Sequence, residues 1–420
     1  MKKLLSIILA LIIIACAGGF YYLYFYILNP TKTKPATPVS VDQAGFSPFG
    51  NNAPEITPTP VSQSTTSSTQ TNTDPTDQTY KTPKLRQLST TPVSGMAIAS
   101  STSNISVVRF MDRGTGYVYE SDNTSNDIRK ISNTTIPQIY EAYGNKNATA
   151  FLIRYLKSES DMIVNFYAEL RKTGTTTSET SYEIKGRFLS PDVKEVAVSP
   201  AGDKVFTWNI ENGDGVGYIS SFDEKVKVKI VSNPLTQVNI DWPEANTVLL
   251  SSKASSVSSS FVYTIDTKSG LMKKVLGGMK GLTAKASHDL SKILYSTYTG
   301  GILTTSILNT KDNTTKEVIF RTLSEKCVWG NLRKNEVYCA VPTQIQDATY
   351  PDAWYKGDVS FKDQIWHLNT SSGEVHLVAD PLSLADQSMD ATNLILDSKD
   401  NFLYFVNKND LTLWALDLNQ

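Results

Sequence analysis

A turn signal that returns about every 44 residues constrains this 420-residue chain more than any other feature. It is clearest at Ser199-Pro200-Ala201-Gly202-Asp203-Lys204 ahead of Val205-Phe206, and at Trp242-Pro243-Glu244-Ala245-Asn246 ahead of Val248-Leu249-Leu250. It returns at Ser287-His288-Asp289-Leu290-Ser291-Lys292 ahead of Ile293-Leu294-Tyr295, with weaker copies at Ala99–Asn104, Gly144–Asn147, Gly330–Asn335 and Asp397–Asn401. Between copies run short Val/Ile/Tyr/Phe segments, and no window carries a sustained apolar stripe of helical period. Two intervals exceed the common spacing. Each holds an insertion: the polar stretch Lys172–Lys185 and the aromatic-rich stretch Pro342–Asp363. Four-strand units at this period are the signature of a propeller, so seven turns predict an all-β, seven-bladed β-propeller over residues 84–420.

The outer strand of a unit is legible at Val226–Ile230, Leu271–Val275 and Thr315–Ile319, each followed by a polar corner. The last unit ends at Leu411–Leu418 without one. The segment Leu85-Arg86-Gln87-Leu88, ahead of the first unit, has the alternation of a half-buried outer strand. Pairing it with Leu411–Leu416 closes the ring and removes an exposed edge.

Before the repeats, an uncharged run extends from Leu4 to Leu28. Its 25 residues would span ~37 Å as a helix, enough for a bilayer core with some tilt. Aromatic residues crowd its distal end from Phe20 to Tyr26, where an interfacial belt belongs. Lys2, Lys3 and the amino terminus favour the N-terminus inside and the bulk of the chain outside. Two other readings compete with an uncleaved anchor over residues 1–28. Ile13-Ile14-Ala15-Cys16 resembles a bacterial lipobox, which would place lipid on Cys16, and the run also fits a cleaved signal peptide. Residues 29–83 are mainly Thr, Pro, Ser, Gln and Asn, with too little apolar surface to offset ordering entropy, and read as a disordered tether.

Composition excludes several classes. Net charge is −1 with both signs interspersed, so nothing predicts nucleic acid as a partner. Three histidines, His288, His367 and His376, give little to build a metal site from, and no cofactor motif is present. Gly-x-Ser-x-Gly, His-Glu-x-x-His and phosphate-cradling glycine loops are all missing, so no catalytic residues are expected. Carboxylates gathered around a propeller channel would be the one route to a hydrolase or lyase.

Three places carry candidate chemistry. Cys327 and Cys339 flank a strand-turn-strand segment, and in an exported domain they favour a disulfide over two buried thiols. The loops between second and third strands share a face with the inter-blade connections. That face receives Asp112–Gly116, where Arg113 offers a planar five-donor fork, and the corner Asn133–Pro137. A glycine-dependent turn and a proline-fixed corner are the plainer readings of both. The Pro342–Asp363 insertion falls on the same face. It sets Tyr350, Trp354 and Tyr355 beside Asp352, which suits a sugar face or a protein hot spot; a lid over the channel is the competing reading.

At Ser199–Lys204 the chain resembles the repeat of periplasmic translocation-system and WD-type propellers, in which Ser-Pro-Asp-Gly-Lys marks the turn; here Ala201 replaces the aspartate. Across most of residues 84–420, Arg113-Gly114-Thr115-Gly116, Ile131–Pro137 and Pro351-Asp352-Ala353-Trp354-Tyr355 look like motifs of an exported, membrane-anchored propeller family of candidate-phylum bacteria. That resemblance implies location and architecture and no activity. The expectation is therefore a membrane-anchored, extracytoplasmic module of the cell envelope that binds a protein partner or, alternatively, a glycan.

Overall fold

The computed structural model describes residues 83–102, 105–157, 162–176 and 179–420. The expected span at 4–28, Cys16 and all but the last residue of the expected tether lie outside these residues. Among the described residues no helix is long and apolar enough to cross a membrane.

The described strands form seven four-stranded antiparallel sheets arranged as the blades of a propeller. The innermost strands are Val93–Ser101, Ile139–Gly144, Val193–Val198, Val238–Glu244, Thr283–Ala286, Cys327–Trp329 and Ala391–Leu396, for blades 1 to 7 in chain order. Loops joining second to third strands, and the connections between blades, lie on one face, called upper here. Turns joining first to second and third to fourth strands lie on the lower face.

The recurrent turn has one physical cause. Ser199 Oγ accepts from the amides of Asp203 and Lys204 at 3.2 and 3.0 Å, and Ser287 Oγ accepts from Lys292 N at 3.0 Å. Asp397 Oδ1 accepts from Asn401 N and Phe402 N at 2.7 and 3.1 Å, and Asn145 Oδ1 takes the amides of Thr149 and Ala150, both at 2.8 Å. A short polar side chain thus satisfies the amides four and five residues on, where the chain reverses into the second strand. Blade 4 departs from the expected copy. Trp242 and Pro243 belong to its innermost strand, and the reversal is the two-residue turn Ala245-Asn246. The polar 172–185 stretch is no loose loop either: strands Ile163–Thr176 and Glu179–Phe188 extend as a long hairpin.

Blade 7 is completed by a strand that precedes blade 1 in the sequence. Leu85–Gln87 pairs antiparallel with Leu413–Asp417, in the register Leu85 to Leu416 and Gln87 to Trp414. Leu88 N donates to Leu413 O at 2.7 Å and Asp417 N to Lys84 O at 2.8 Å. Arg86 reaches across the seam to the carbonyls of Asp122, at 2.6 Å, and Ser125 in blade 1. Every seam between neighbouring blades holds a hydrophobic cluster. The closing seam, between blades 7 and 1, packs Leu88, Val93, Val108 and Phe110 against Tyr404, Val406 and Leu413.

Cys327 and Cys339 stand opposite each other on the first two strands of blade 6 and form the expected disulfide, with Cα atoms 4.1 Å apart.

The strand at Leu85–Gln87 sets a stability test. Leu85 and Leu88 are buried, and burial is worth ~1.5–3 kcal/mol for each side chain. At ~2–4 °C per kcal/mol for a domain of this order, a chain beginning at Ser89 should melt about 10 °C below one beginning at Pro83. Equal melting temperatures by differential scanning calorimetry would show that the closing strand contributes nothing.

Candidate functional site

The innermost strands line the central channel, and two of them share a device there. In blades 2 and 3 the pairing of the first two strands slips by one residue between Ile139 and Glu141 and between Val193 and Glu195. A bulge of this kind re-aims the side chain that follows it. Ile139 and Val193 pack in the seams, while Glu141 and Glu195 carry charge at equivalent channel positions. Blade 1 has the same slip between Val93 and Gly95. A Cβ at Gly95 would overlap the carbonyl of Ala142, so only glycine fits there.

Glycine there lets blades 1 and 2 approach closely beside the channel. A cavity of about 520 Å³ is bounded by Val93–Met96 of blade 1, Tyr140–Tyr143 of blade 2 and Asn393–Ile395 of blade 7, with Lys285 facing from blade 5. Its wall includes Val93, Met96, Leu394, Ile395, Val406 and Leu411. At its rim the Arg113 guanidinium lies 5.2 Å over the ring of Tyr140, a cation–π pair.

Across the channel, polar groups converge at the upper mouth. Glu325 accepts from Tyr355 Oη at 2.6 Å and Asn239 Nδ2 at 2.8 Å. Arg154 donates to Glu141 Oε2 at 2.5 Å and to the Val193 carbonyl at 3.0 Å, joining blades 2 and 3. Lys285 pairs with Asp241 at 3.2 Å. Burial first, and then the like charge of Glu141, pushes the Glu195 carboxyl up to about 7, against the pull of Arg154 and Lys253. Burial likewise raises Glu325, and its bonds to Tyr355 and Asn239 offset only part of the shift.

The insertion between the second and third strands of blade 6 is a packed cap. Tyr350 is fully buried and stacks on Phe361 with ring centroids 5.5 Å apart. Trp354 is 6% exposed, lies 6.3 Å from Phe361 and donates from Nε1 to Asp390 Oδ2 at 2.9 Å. Beneath these rings sits Lys326, wholly buried. Its ammonium is bonded to Asp390, to Asp363 at 2.9 Å and to the Ala391 carbonyl at 2.9 Å, with the Trp354 and Phe361 rings each 5.2 Å away. Burial, opposed by Lys326 and reinforced by Asp390, lifts the Asp363 carboxyl to about 6.

The six candidate residues therefore separate. Arg113 stands at the cavity rim, and the turn that carries it is shaped by Gly116 at φ 76° and by Asp112 Oδ1 accepting from Thr115 N at 2.7 Å. Asn133 is exposed on the same face, away from the cavity lining. Tyr350 and Trp354 lie in the interior rather than on a binding surface, because a twenty-residue insertion with few aliphatic residues builds its core from its own rings. Asp352 binds the Ser256 amide at 2.6 Å and fastens the cap to blade 4. Only Tyr355 reaches the channel. Sequence reasoning missed Glu141, Glu195, Glu325 and Lys326. The available signal was a charge inside an apolar innermost strand, repeated from blade to blade as Tyr140-Glu141-Ala142, Lys194-Glu195-Val196 and Ala284-Lys285-Ala286.

Comparison with known proteins agrees with the architecture. No family model and no curated protein matches the chain. Among solved structures, an oligogalacturonate lyase from Vibrio parahaemolyticus is similar at 10% identity and a TM-score of 0.50, over 80% of this chain and 93% of that one. TolB from Acinetobacter baumannii is similar at 10% identity and a TM-score of 0.41, over 76% of this chain and 65% of that one. The propeller domain of the trilobed protease from Pyrococcus furiosus follows at 12% and 0.42, over 64% and 77%. At these identities the likeness is one of fold.

Two outcomes follow for the charged groups. Removing the ammonium in Lys326→Met leaves two buried aspartates without their counter-ion, which should cost about 3–5 kcal/mol in denaturant unfolding and admit protease into residues 343–362. Glu195 binds its proton more tightly folded than unfolded, so wild type should lose stability as pH rises from about 4.5 to 7. Relative to Glu195→Gln, that loss should be on the order of 1–3 kcal/mol between pH 4.5 and 8. Parallel stability curves would show that Glu195 titrates normally.

Proposed function

We propose that this protein is a membrane-anchored, extracytoplasmic binding module that receives a segment of a protein partner at the upper mouth of its channel. The observation that carries the reading is the cavity of about 520 Å³, whose lining joins apolar side chains to Glu141, Lys285 and the Arg113 guanidinium at its rim. Such a site buries an apolar side chain while Arg113 pairs with a carboxylate. The Cys327–Cys339 disulfide supports an oxidising compartment, and the uncharged Leu4–Leu28 run supports an anchor. A glycan reading loses its main support, because Tyr350 and Trp354 are buried.

A second reading, a hydrolase or lyase, is favoured by Glu195, whose carboxyl near 7 would suit proton transfer at neutral pH. Binding is preferred because Glu195 is not among the residues that line the cavity. A photo-crosslinking residue at Tyr140, which is half exposed, decides the matter in native membranes. It should capture a discrete protein that Arg113→Glu releases, whereas the same label at Leu271 on the lower face should not. Equal capture at both positions, or none at Tyr140, would sink the proposal.

A further inference from the structure

Away from the channel, blade 6 brings two of the three histidines together. His367 on the third strand, Asp363–Asn369, stands directly opposite His376 on the fourth, Val375–Ala379. Their Nδ1 atoms are 3.3 Å apart, and the ring centroids 4.5 Å. The other nitrogen of His367, Nε2, lies 3.3 Å from Glu336 Oε2. That carboxylate oxygen is buried and makes no hydrogen bond among the described residues, and Arg333 Nη1 lies 3.7 Å from it. With its proton on Nε2, facing that carboxylate, His367 carries its lone pair on Nδ1, toward His376. Tyr338 packs on the far side of His367 at 5.1 Å and holds the ring in place.

We propose that His367 and His376 form a two-histidine site for zinc or a neighbouring divalent transition metal, with Glu336 as the positioning residue. Two nitrogens bound tetrahedrally at about 2.0–2.1 Å lie about 3.3–3.4 Å apart, which is the separation found here. A carboxylate on the remote nitrogen of a ligating imidazole is the arrangement that fixes tautomer and orientation at such centres. His376 exchanges its Nδ1 proton for one on Nε2 to become the second ligand, and its exposure gives the ion a path in. Among the described residues no third His, Cys, Asp or Glu completes a cage, so water fills the remaining positions. The ion would tie the outermost strand of blade 6 to its neighbour.

Calorimetric titration of the untagged, full-length chain with Zn²⁺ alone tests the site. One equivalent should bind with micromolar affinity and raise the melting temperature. His376→Ala, a change at an exposed side chain, should abolish both effects, and Glu336→Gln should weaken binding at least tenfold. His288→Ala should bind as wild type does. Absence of saturable binding, or His376→Ala titrating like wild type, overturns the proposal; unchanged affinity in Glu336→Gln overturns the role given to Glu336.

Discussion

Closure of the ring is the constraint on which the rest depends. Each blade offers two apolar faces and is stable only between two neighbours, so a ring with one open seam exposes the faces of both flanking blades. The closing contact here is short, three residues at Leu85–Gln87 laid against Leu413–Asp417, but it is reinforced from both sides. Arg86 ties it to blade 1, and Leu88 sits in the cluster shared by blades 7 and 1. The principal cavity borrows its walls from blades 7, 1 and 2. Its shape is therefore set by the same seam.

Blade 6 solves a different problem. It carries the long insertion between its second and third strands, has an innermost strand of only three residues, Cys327–Trp329, and compensates with cross-links. The disulfide joins its first two strands. One register row then runs Val328, Tyr338, His367, His376 across the whole sheet. Lys326, immediately before the strand, fastens insertion, blade 6 and blade 7 through two carboxylates. An ion pair this deeply buried gains little net free energy, since desolvation costs several kcal/mol per ion. What it contributes is connection: Asp390 also accepts from Trp354 Nε1 and Phe361 N, so the ion pair holds the cap against blade 7.

The architecture was legible because its signals are local. A serine, aspartate or asparagine that takes up the amides four and five residues on needs no distant partner, so Asn145, Ser199, Ser287 and Asp397 mark their turns in sequence. Counting strands then located the vacancy in blade 7. The channel was not legible, because it is assembled from residues about one blade apart and because bulges shift the side-chain alternation. Strict alternation would put Glu141 on the same face as Ile139 and Glu195 on that of Val193, and the slip between each pair is what turns the glutamates elsewhere. The insertion misled for a related reason: aromatic residues read alike as binding surface or as core, and only the buried Lys326 and Asp390 beneath them decide between the two.

The direction of the closing strand has a mechanical consequence. Lys84 sits beside Asp417 at the lower end of blade 7, and the chain climbs from there to Leu88 before entering blade 1. Pro83, where the described chain begins, therefore lies on the face opposite the channel mouth. A load transmitted through it along the strand axis stresses the Leu85–Gln87 ladder in shear, where the bonds resist together, rather than peeling them one at a time. The cavity opens on the other face of the ring, where the strand ends and the connection into blade 1 begins.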